Sequence, residues 1–290
     1  MGVINNLPQR PIVHCLADTP SYDEVAFAVS KLNSGKAPDI NGFTAEIVKS
    51  GGDKMIEMIH QLMSHYWEKG SVPQEWIDAV LISLYKSGGQ DICGNFRGIS
   101  LLSIISKVLA RIHLSRLNTH IVPNGVSESQ CGFRANRGTA DMVFSLRQLQ
   151  EKRIEQNLDL YHCFIDLSKA FDTVNREVLW VVLGKCGCPP KFVTMVKSLH
   201  VTMKARVNFW GTLSEPFSVD NGVKQGDLEG PTLFAIYFAI MILYAFKDTD
   251  EGIYIRYRTS GSVFDIRRLK RNFGNFVELI VIYSTQTTVI

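Results

Sequence analysis

The residues most able to do chemistry lie mid-chain, where Asp166 ends an apolar run that begins at Tyr161 and a polar turn leads to Phe171 and Asp172. A carboxylate at the end of a buried strand is a rigid ligand, and Mg²⁺ takes a few carboxylates together with waters and phosphate oxygens. The pattern predicts a strand from Tyr161 that presents Asp166 to a divalent ion, as metal-dependent nucleotidyl transfer requires. For Asp166 alone, capping of the next turn is the other interpretation. Asp172 is better explained as a cap or as a partner of Arg176.

Two further features could serve a nucleotide. An aromatic ring at Phe171, five residues after Asp166, could lie under the sugar and exclude a 2′-hydroxyl by its bulk. Downstream, Gln225 can both donate and accept hydrogen bonds, and Gly226 lets the backbone approach a ligand closely. Each has a structural alternative, since Phe171 could be a core residue and residues 222–226 an ordinary glycine-rich loop before a helix.

Basic residues are concentrated in the segment 97–153, which holds nine lysines and arginines against three acids, although the whole chain carries a net charge of only +3. Lys86 and Arg97 are candidates for a triphosphate, because arginine offers a bidentate fork and lysine a point charge. Arg134 and Arg137 stand in a loop punctuated by glycine that could follow a template strand. A solvated face is the alternative for each of these charges.

The composition is that of a folding globular protein, with 290 residues of which 46% are hydrophobic and 20% charged. The six cysteines are scattered without zinc-site spacing, which predicts reduced thiols in an intracellular protein, in nucleus or cytoplasm. No signal peptide is visible. The apolar run from Leu233 to Phe246 is shorter than the roughly 20 residues that span a bilayer, so we expect a buried helix and no membrane association.

Helical and strand patterns alternate without a regular βαβ rhythm, which predicts an α+β fold. Ser21 and Glu24 form the sequence of a capping box. The predicted elements are a helix opened by Ser21, helices 53–69, 104–117 and 139–153, a strand 79–85, a helix capped by Asn175, strands 201–209 and 217–219, an apolar helix from Pro231 to Phe246, and strands 252–257 and 263–269.

Four motifs in a fixed order carry a family resemblance: residues 95–102, 130–139, 164–172 and 222–234. In this order they closely resemble the reverse transcriptases of non-LTR (LINE-type) retrotransposons, and residues 36–39 resemble that family's preceding loop. The resemblance extends over nearly the whole chain, from Ala17 to Glu278.

The resemblance implies a right-hand polymerase, with fingers and palm, that copies an RNA template from a DNA primer with deoxynucleoside triphosphates and Mg²⁺. It implies that Asp166 is the first metal-binding carboxylate, that Phe171 discriminates the sugar, and that Gln225 and Gly226 line the nucleotide pocket. By position, Lys86 and Arg97 resemble the fingers residues that hold the triphosphate.

The same resemblance divides the chain into an N-terminal helical extension (1–75), a fingers-like region (76–158), a partial palm with an antiparallel sheet and packed helices (159–280), and an aberrant tail (281–290). Viral RNA-copying polymerases also use a palm, but residues 225–234 resemble the reverse-transcriptase version.

The sequence departs from the family pattern in two places. It contains no Asp-Asp pair, whereas the family completes its metal site with an aromatic-Ala-Asp-Asp turn, so we expect a chain truncated before that turn, without a thumb, and catalytically inactive or weak. In addition, Asp227 and Glu229 are expected to place negative charge on the path of nucleotide and template phosphates. A non-catalytic nucleic-acid-binding remnant and an unstable pseudogene product are the alternatives to a polymerase domain.

Overall fold

The structure is a computed structural model that describes residues 7–39, 41–126, 130–155, 157, 159–162, 164–165, 167, 169–224 and 226–245. The chain divides into two compact units, the first formed by residues 1–126 and 169–240 and the second by residues 127–168 and 241–290. The predicted strands 252–257 and 263–269 lie outside the described residues. The predicted domain boundaries at residues 75, 158 and 280 stay predictions.

The first unit begins with a 3₁₀ turn at His14–Ala17, followed by four helices of 4 to 18 residues. These are α1 (Tyr22–Ser30), α2 (Ala45–Ser50), α3 (Gly52–Lys69) and α4 (Gln74–Ile77). The predicted capping box is confirmed, because Glu24 N donates to Ser21 Oγ at 3.2 Å and Ser21 N donates to a Glu24 carboxylate oxygen at 2.9 Å. Gly70 ends α3 in the left-handed conformation, at φ 71°, where glycine carries no steric penalty.

Three more helices surround the core of this unit: α5 (Ile104–His120), α8 (Arg176–Lys185) and α9 (Pro190–Ser198), with the single turn α6 (Val122–Gly125) after α5. Asn175 caps α8 as predicted, accepting from Val178 N at 3.1 Å. The fully buried ring of Trp67 lies at the centre, with its centroid 6.4 Å from that of Phe192. The sequence interpretation missed α9, although a proline at its first position and apolar residues at helical spacing mark it.

The sheet of the first unit is mixed, with strand order β2-β1-β3-β4 and a short β5 also paired with β3. Its strands are β1 (Ala79–Tyr85), β2 (Phe96–Leu101), β3 (Lys204–Phe209), β4 (Thr212–Leu213) and β5 (Phe217–Ser218). The strand β1 is confirmed, whereas β2 is not among the elements predicted from the sequence. The strand β2 pairs antiparallel with β1, and β3 pairs parallel with β1, so the sheet as a whole is mixed. Within the predicted palm, the described strands β4 and β5 both pair antiparallel with β3, and the palm assignment stays a prediction.

The second unit contains α7 (Thr139–Glu155), and the last described helix of the chain is α10 (Gly230–Ala245). The strand predicted from Tyr161 is wrong for the residues described there. Tyr161, Phe164 and Ile165 are 90%, 69% and 58% exposed and have no strand assignment. A strand needs a neighbour for its N–H and C=O groups, and none of the described strands pairs with this segment.

None of the helices in the described ranges combines the length and apolar character needed to cross a bilayer. The five cysteines that the structure describes are free thiols, of which Cys131, Cys186 and Cys188 are buried.

Candidate functional site

The residues predicted to bind a nucleotide belong to the first unit. Two of the predicted site residues, Gln225 and the metal ligand Asp166, lie outside the described residues. The structure describes both neighbours of Gln225, and it describes Phe171. Arg134 and Arg137 belong to the second unit.

The segment after Phe171 and the glycine loop lie edge to edge. Val223 N donates to the Phe171 carbonyl at 2.9 Å, and Gly222 N donates to the Val174 carbonyl at 2.9 Å. A Cβ added to Gly222, whose φ is +81°, would lie 2.8 Å from backbone atoms of both Phe171 and Asp172. The two motifs, separated by about fifty residues of sequence, therefore touch through their backbones at a position where only glycine fits.

Phe171 is half-buried, and its ring packs against Phe234 of α10 with the centroids 4.8 Å apart and the planes inclined by 30°. Phe234 in turn stacks on Phe238 at 5.8 Å. Phe171 thus packs against other apolar residues, as its alternative interpretation as a core residue requires. The sugar contact stays a prediction.

Gly226 lies against the edge strand β2. With φ at +107°, a Cβ there would lie 2.8 Å from the Ser100 carbonyl oxygen and 3.2 Å from Ile99 Cγ2. These distances leave no space for a side chain, so the glycine loop approaches β2 as closely as two backbones can.

Lys86 and Arg97 extend from one face of the β1–β2 hairpin. Lys86 N donates to the Asn95 carbonyl at 2.8 Å, and Leu84 pairs with Arg97. Because side chains two residues apart on a strand share a face, Lys86 lies on the face that carries Arg97. Ile99, two residues beyond Arg97, contacts the Gly226 position from the same face. The glycine loop therefore lies next to the hairpin face that carries Lys86 and Arg97, and their contact with a triphosphate stays a prediction.

A buried arginine fixes the loop that leads into this site. The guanidinium of Arg176 donates to four backbone carbonyls, those of His200 and Val219 at 2.7 Å, Gly222 at 2.8 Å and Asn221 at 3.2 Å. Arg176 is 7% exposed. The predicted pairing of Asp172 with Arg176 is wrong, because the guanidinium faces these inward carbonyls and Asp172 is exposed.

The prediction that Asp227 and Glu229 face the phosphate path is also wrong. Asp227 is 6% exposed and Glu229 is fully buried, with a carboxylate oxygen 2.9 Å from Nδ1 of the fully buried His113 on α5. The loop turns inward after Gly226, so both acids enter the core of the first unit. Their charge therefore gives no reason to expect weakened nucleotide binding.

Lys224 accompanies these acids. It is 4% exposed, and its Nζ donates to the Ile77 carbonyl at 2.7 Å, which connects the glycine loop to the end of α4, just before β1. Burial lowers the pKa of Lys224 to about 8 and raises the pKa of Asp227 to about 7 and that of Glu229 to about 8. The interior thus shifts all three groups toward their neutral forms.

Comparison with known proteins decides the family. Residues 84–257 match the protein-family model described as "Reverse transcriptase (RNA-dependent DNA polymerase)". The chain belongs to the reverse transcriptase family. Among its relatives are an uncharacterized 149 kDa protein of transposon TX1 from Xenopus laevis, 28% identical over 72% of this chain, and the RNA-directed DNA polymerase from the mobile element jockey of Drosophila funebris, 28% identical over 78%.

A third relative is the Pol polyprotein from the type-1 retrotransposable element R2 of Bradysia coprophila, 26% identical over 81% of this chain. The chain spans 16%, 25% and 26% of the lengths of these three relatives, respectively. The predicted resemblance to reverse transcriptases of non-LTR retrotransposons is confirmed by these matches.

A reverse transcriptase implies bound Mg²⁺, and one group of three potential metal ligands occurs among the described residues. It is formed by His200, Asp227 and Glu229, whose ligand atoms lie within 4.8 Å of one another. This group does not suit Mg²⁺, which requires mainly oxygen ligands and keeps several waters, because it is buried, contains a histidine and lies beside Lys224. The metal role of Asp166 stays a prediction.

The basic loop predicted before a helix is confirmed in the second unit. Arg137 N donates to the Arg134 carbonyl at 3.3 Å, and Gly138 N donates to an Asp141 carboxylate oxygen at 2.7 Å in the first turn of α7. Asn136 has a positive φ of 59°, which makes the turn tight. Arg137 is exposed, as an arginine that contacts a nucleic-acid strand must be.

Sequence reasoning missed the structural role of Asp39 in the loop 36–39. One of its carboxylate oxygens accepts from Ile104 N at 3.0 Å and the other from Asn41 N and Phe43 N, at 3.0 and 2.9 Å. Asp39 thereby caps α5 from a distant part of the sequence, where Ser103 makes no capping bond of its own. An acidic residue in a proline-containing loop is a signal for a helix cap, but no nearby sequence feature shows that the capped helix is α5.

A pH-dependent stability follows from Glu229. The unfolded chain releases this proton near the ordinary pKa of 4.5 and the folded chain near 8, so the stabilisation due to the proton falls as the pH rises between these values. The unfolding free energy of Glu229→Gln minus that of wild type should therefore increase by on the order of 2–4 kcal/mol from pH 5 to pH 8. Urea denaturation at both pH values measures it. Glu177→Gln, at an exposed position, is the control, and parallel pH curves for wild type and Glu229→Gln would contradict the assignment.

Proposed function

We propose that this chain carries the nucleotide-binding part of a retroelement RNA-directed DNA polymerase, with a fingers-like region and part of a palm. The observation that carries the proposal is the convergence of three motifs in the first unit. The glycine loop contacts Phe171 on one side and β2 on the other, next to the hairpin face that holds Lys86 and Arg97.

The proposed roles follow from the chemistry of each side chain. Arg97 would hold the triphosphate with its bidentate fork and Lys86 with a point charge. Phe171 would contact the sugar, and Gln225 and Gly226 would line the pocket. In the second unit, Arg134 and Arg137 would contact the backbone of the RNA template, which pairs with a DNA primer.

Mg²⁺ is the proposed cofactor and Asp166 its proposed ligand, and the ion would supply charge neutralisation at the phosphates. Since the 290 residues contain no Asp-Asp pair, we propose that this polypeptide by itself binds nucleotide and nucleic acid but performs little or no DNA synthesis. The same observation favours the second candidate function, a nucleic-acid-binding module without catalysis.

Nucleotide binding tests the site. A fluorescent dATP analogue should bind the purified chain, and Arg97→Ala should weaken the affinity about tenfold, because a hydrogen bond to a charged group contributes about 1.5–3 kcal/mol. Lys204→Ala, at an exposed position on β3 of the same sheet, should leave the affinity unchanged. Equal affinities of wild type and Arg97→Ala would argue against the proposed triphosphate site.

Primer extension separates the two candidate functions. On an RNA template we expect no DNA synthesis that depends on Asp166, whereas RNA binding should survive Asp166→Ala and decrease with Arg134→Ala and Arg137→Ala. Robust synthesis by wild type that Asp166→Ala abolishes would show instead that this polypeptide catalyses RNA-directed DNA synthesis.

A further inference from the structure

A cavity of about 190 Å³ lies in the first unit beside the glycine loop. One wall is the face of α5 that carries Lys107 and Arg111, and another is the loop after α1, which contributes Lys36. Gly226 and Leu228 form the side next to the proposed nucleotide site. The cavity is thus built from the family's motif loops, but none of its three cations has a role in the proposed nucleotide site.

The positive charge in this cavity lacks a close counter-charge. Lys107 and Arg111 are one helical turn apart and so share a face of α5. Within the described part of the chain, no carboxylate lies within salt-bridge distance of Lys36, Lys107 or Arg111. The Arg111 Nε is buried without a hydrogen-bond acceptor there. A buried donor of this kind calls for an explanation, such as a ligand.

The acids that act on Lys107 from a distance are already engaged. Asp39 accepts three backbone N–H bonds, and Asp227 accepts one from Leu228 N at 2.7 Å. Lys107 and Arg111 are half-buried, and this burial lowers the pKa of each. A bound anion would replace the favourable interactions with water that Lys107 and Arg111 lose through burial.

We propose that this cavity binds a single phosphate group. Arginine and lysine side chains that converge on a partly closed space are the donors that phosphate oxygens prefer. The volume is below the roughly 300 Å³ at which pockets begin to take drug-sized ligands, so it fits a phosphate rather than a whole nucleotide. The phosphate comes from the backbone of a bound nucleic-acid strand, an identification that rests on the proposed function, or from free phosphate.

Inorganic phosphate tests the cavity without any nucleic acid. At matched ionic strength, phosphate should raise the melting temperature of the purified chain more than chloride does. The concentration that gives half of the effect should increase at least tenfold in Arg111→Gln and Lys107→Gln. Lys191→Gln, at an exposed position on α9, should behave as wild type. Lys36→Gln, in an exposed loop, gives a variant that keeps the fold if the two helix variants do not, and it should weaken the phosphate effect about threefold or more.

No phosphate effect in wild type, or an equal effect in all variants, would overturn the phosphate site. If phosphate does bind, the binding of short single-stranded RNA shows whether the phosphate group belongs to a nucleic-acid strand or is free phosphate. For a strand phosphate, the cavity variants should weaken RNA binding and reduce the dependence of log affinity on log salt by about 0.7 for each strand phosphate that the variant no longer neutralises. Unchanged RNA binding together with abolished phosphate binding identifies free phosphate as the ligand. Because the phosphate titration contains neither RNA nor nucleotide, its result is independent of whether the polymerase assignment holds.

Discussion

Replacing Arg176 by methionine should lower the free energy of unfolding by about 3–5 kcal/mol, because four buried carbonyls lose their shared donor. Methionine fills a similar volume but has no N–H group, so the carbonyls of His200, Val219, Asn221 and Gly222 stay buried without the bonds that now hold them. The same loop positions the glycine motif, so nucleotide binding should be lost as well. Urea denaturation followed by tryptophan fluorescence measures the change.

Two further variants sharpen the interpretation of Arg176. Arg176→Lys should lose nearly as much, since a single ammonium group cannot reach four carbonyls at once. Arg206→Met, at an exposed position on β3, should cost less than about 0.5 kcal/mol. A loss below about 1 kcal/mol in Arg176→Met would mean that the loop is held by other contacts.

Gly222→Ala should destabilise the protein by about 2–4 kcal/mol, because a methyl group at this position overlaps backbone atoms and the φ of +81° suits only glycine. Gly211 supplies a matched control. Its φ is +85°, nearly the same, but no atom lies within 4 Å of an added Cβ. Gly211→Ala therefore carries the conformational penalty without the overlap, and we expect a loss of about 1–2 kcal/mol.

The difference between the two alanine variants measures how closely the Phe171 segment approaches the glycine loop. Thermal and urea unfolding give both values, and the nucleotide affinity of folded Gly222→Ala shows whether the contact also matters for the site. Equal losses in Gly222→Ala and Gly211→Ala would mean that the two segments separate readily, and the proposed pocket would then lack one of its walls.

Elements with complete local signals were predictable from the sequence. The capping box at Ser21, the left-handed glycine at Gly70 and the asparagine cap at Asn175 each involve residues within one turn of the helix they bound. The strand β1 was predicted with its observed ends because its apolar run is short and is followed by a turn.

Features that depend on distant partners were not predictable. The strand β2 was missed, because its pairing partner β1 is needed to recognise it as a strand. Asp227 and Glu229 look like surface charges, because no sequence pattern shows that His113, on the distant helix α5, lies 2.9 Å from Glu229. The run after Tyr161 has the composition of a strand but has no pairing partner among the described residues. The family motifs predict that Phe171 and Gly226 serve one nucleotide pocket; the segments that carry them do touch, through the Val223–Phe171 hydrogen bond, while the two roles stay predictions.

The parallel pairing of β1 with β3 has a consequence for how this molecule is made. Ala79 pairs with Ala205, so β1 leaves the ribosome well before its partner strand β3 has been synthesised. At about 5–20 residues per second, that interval is roughly ten seconds. During this time the nascent chain can form its early helices and the β1–β2 hairpin, but the sheet centre must await the later segment. Long-range pairings of this kind slow folding and prolong the period in which chaperones can engage a growing chain.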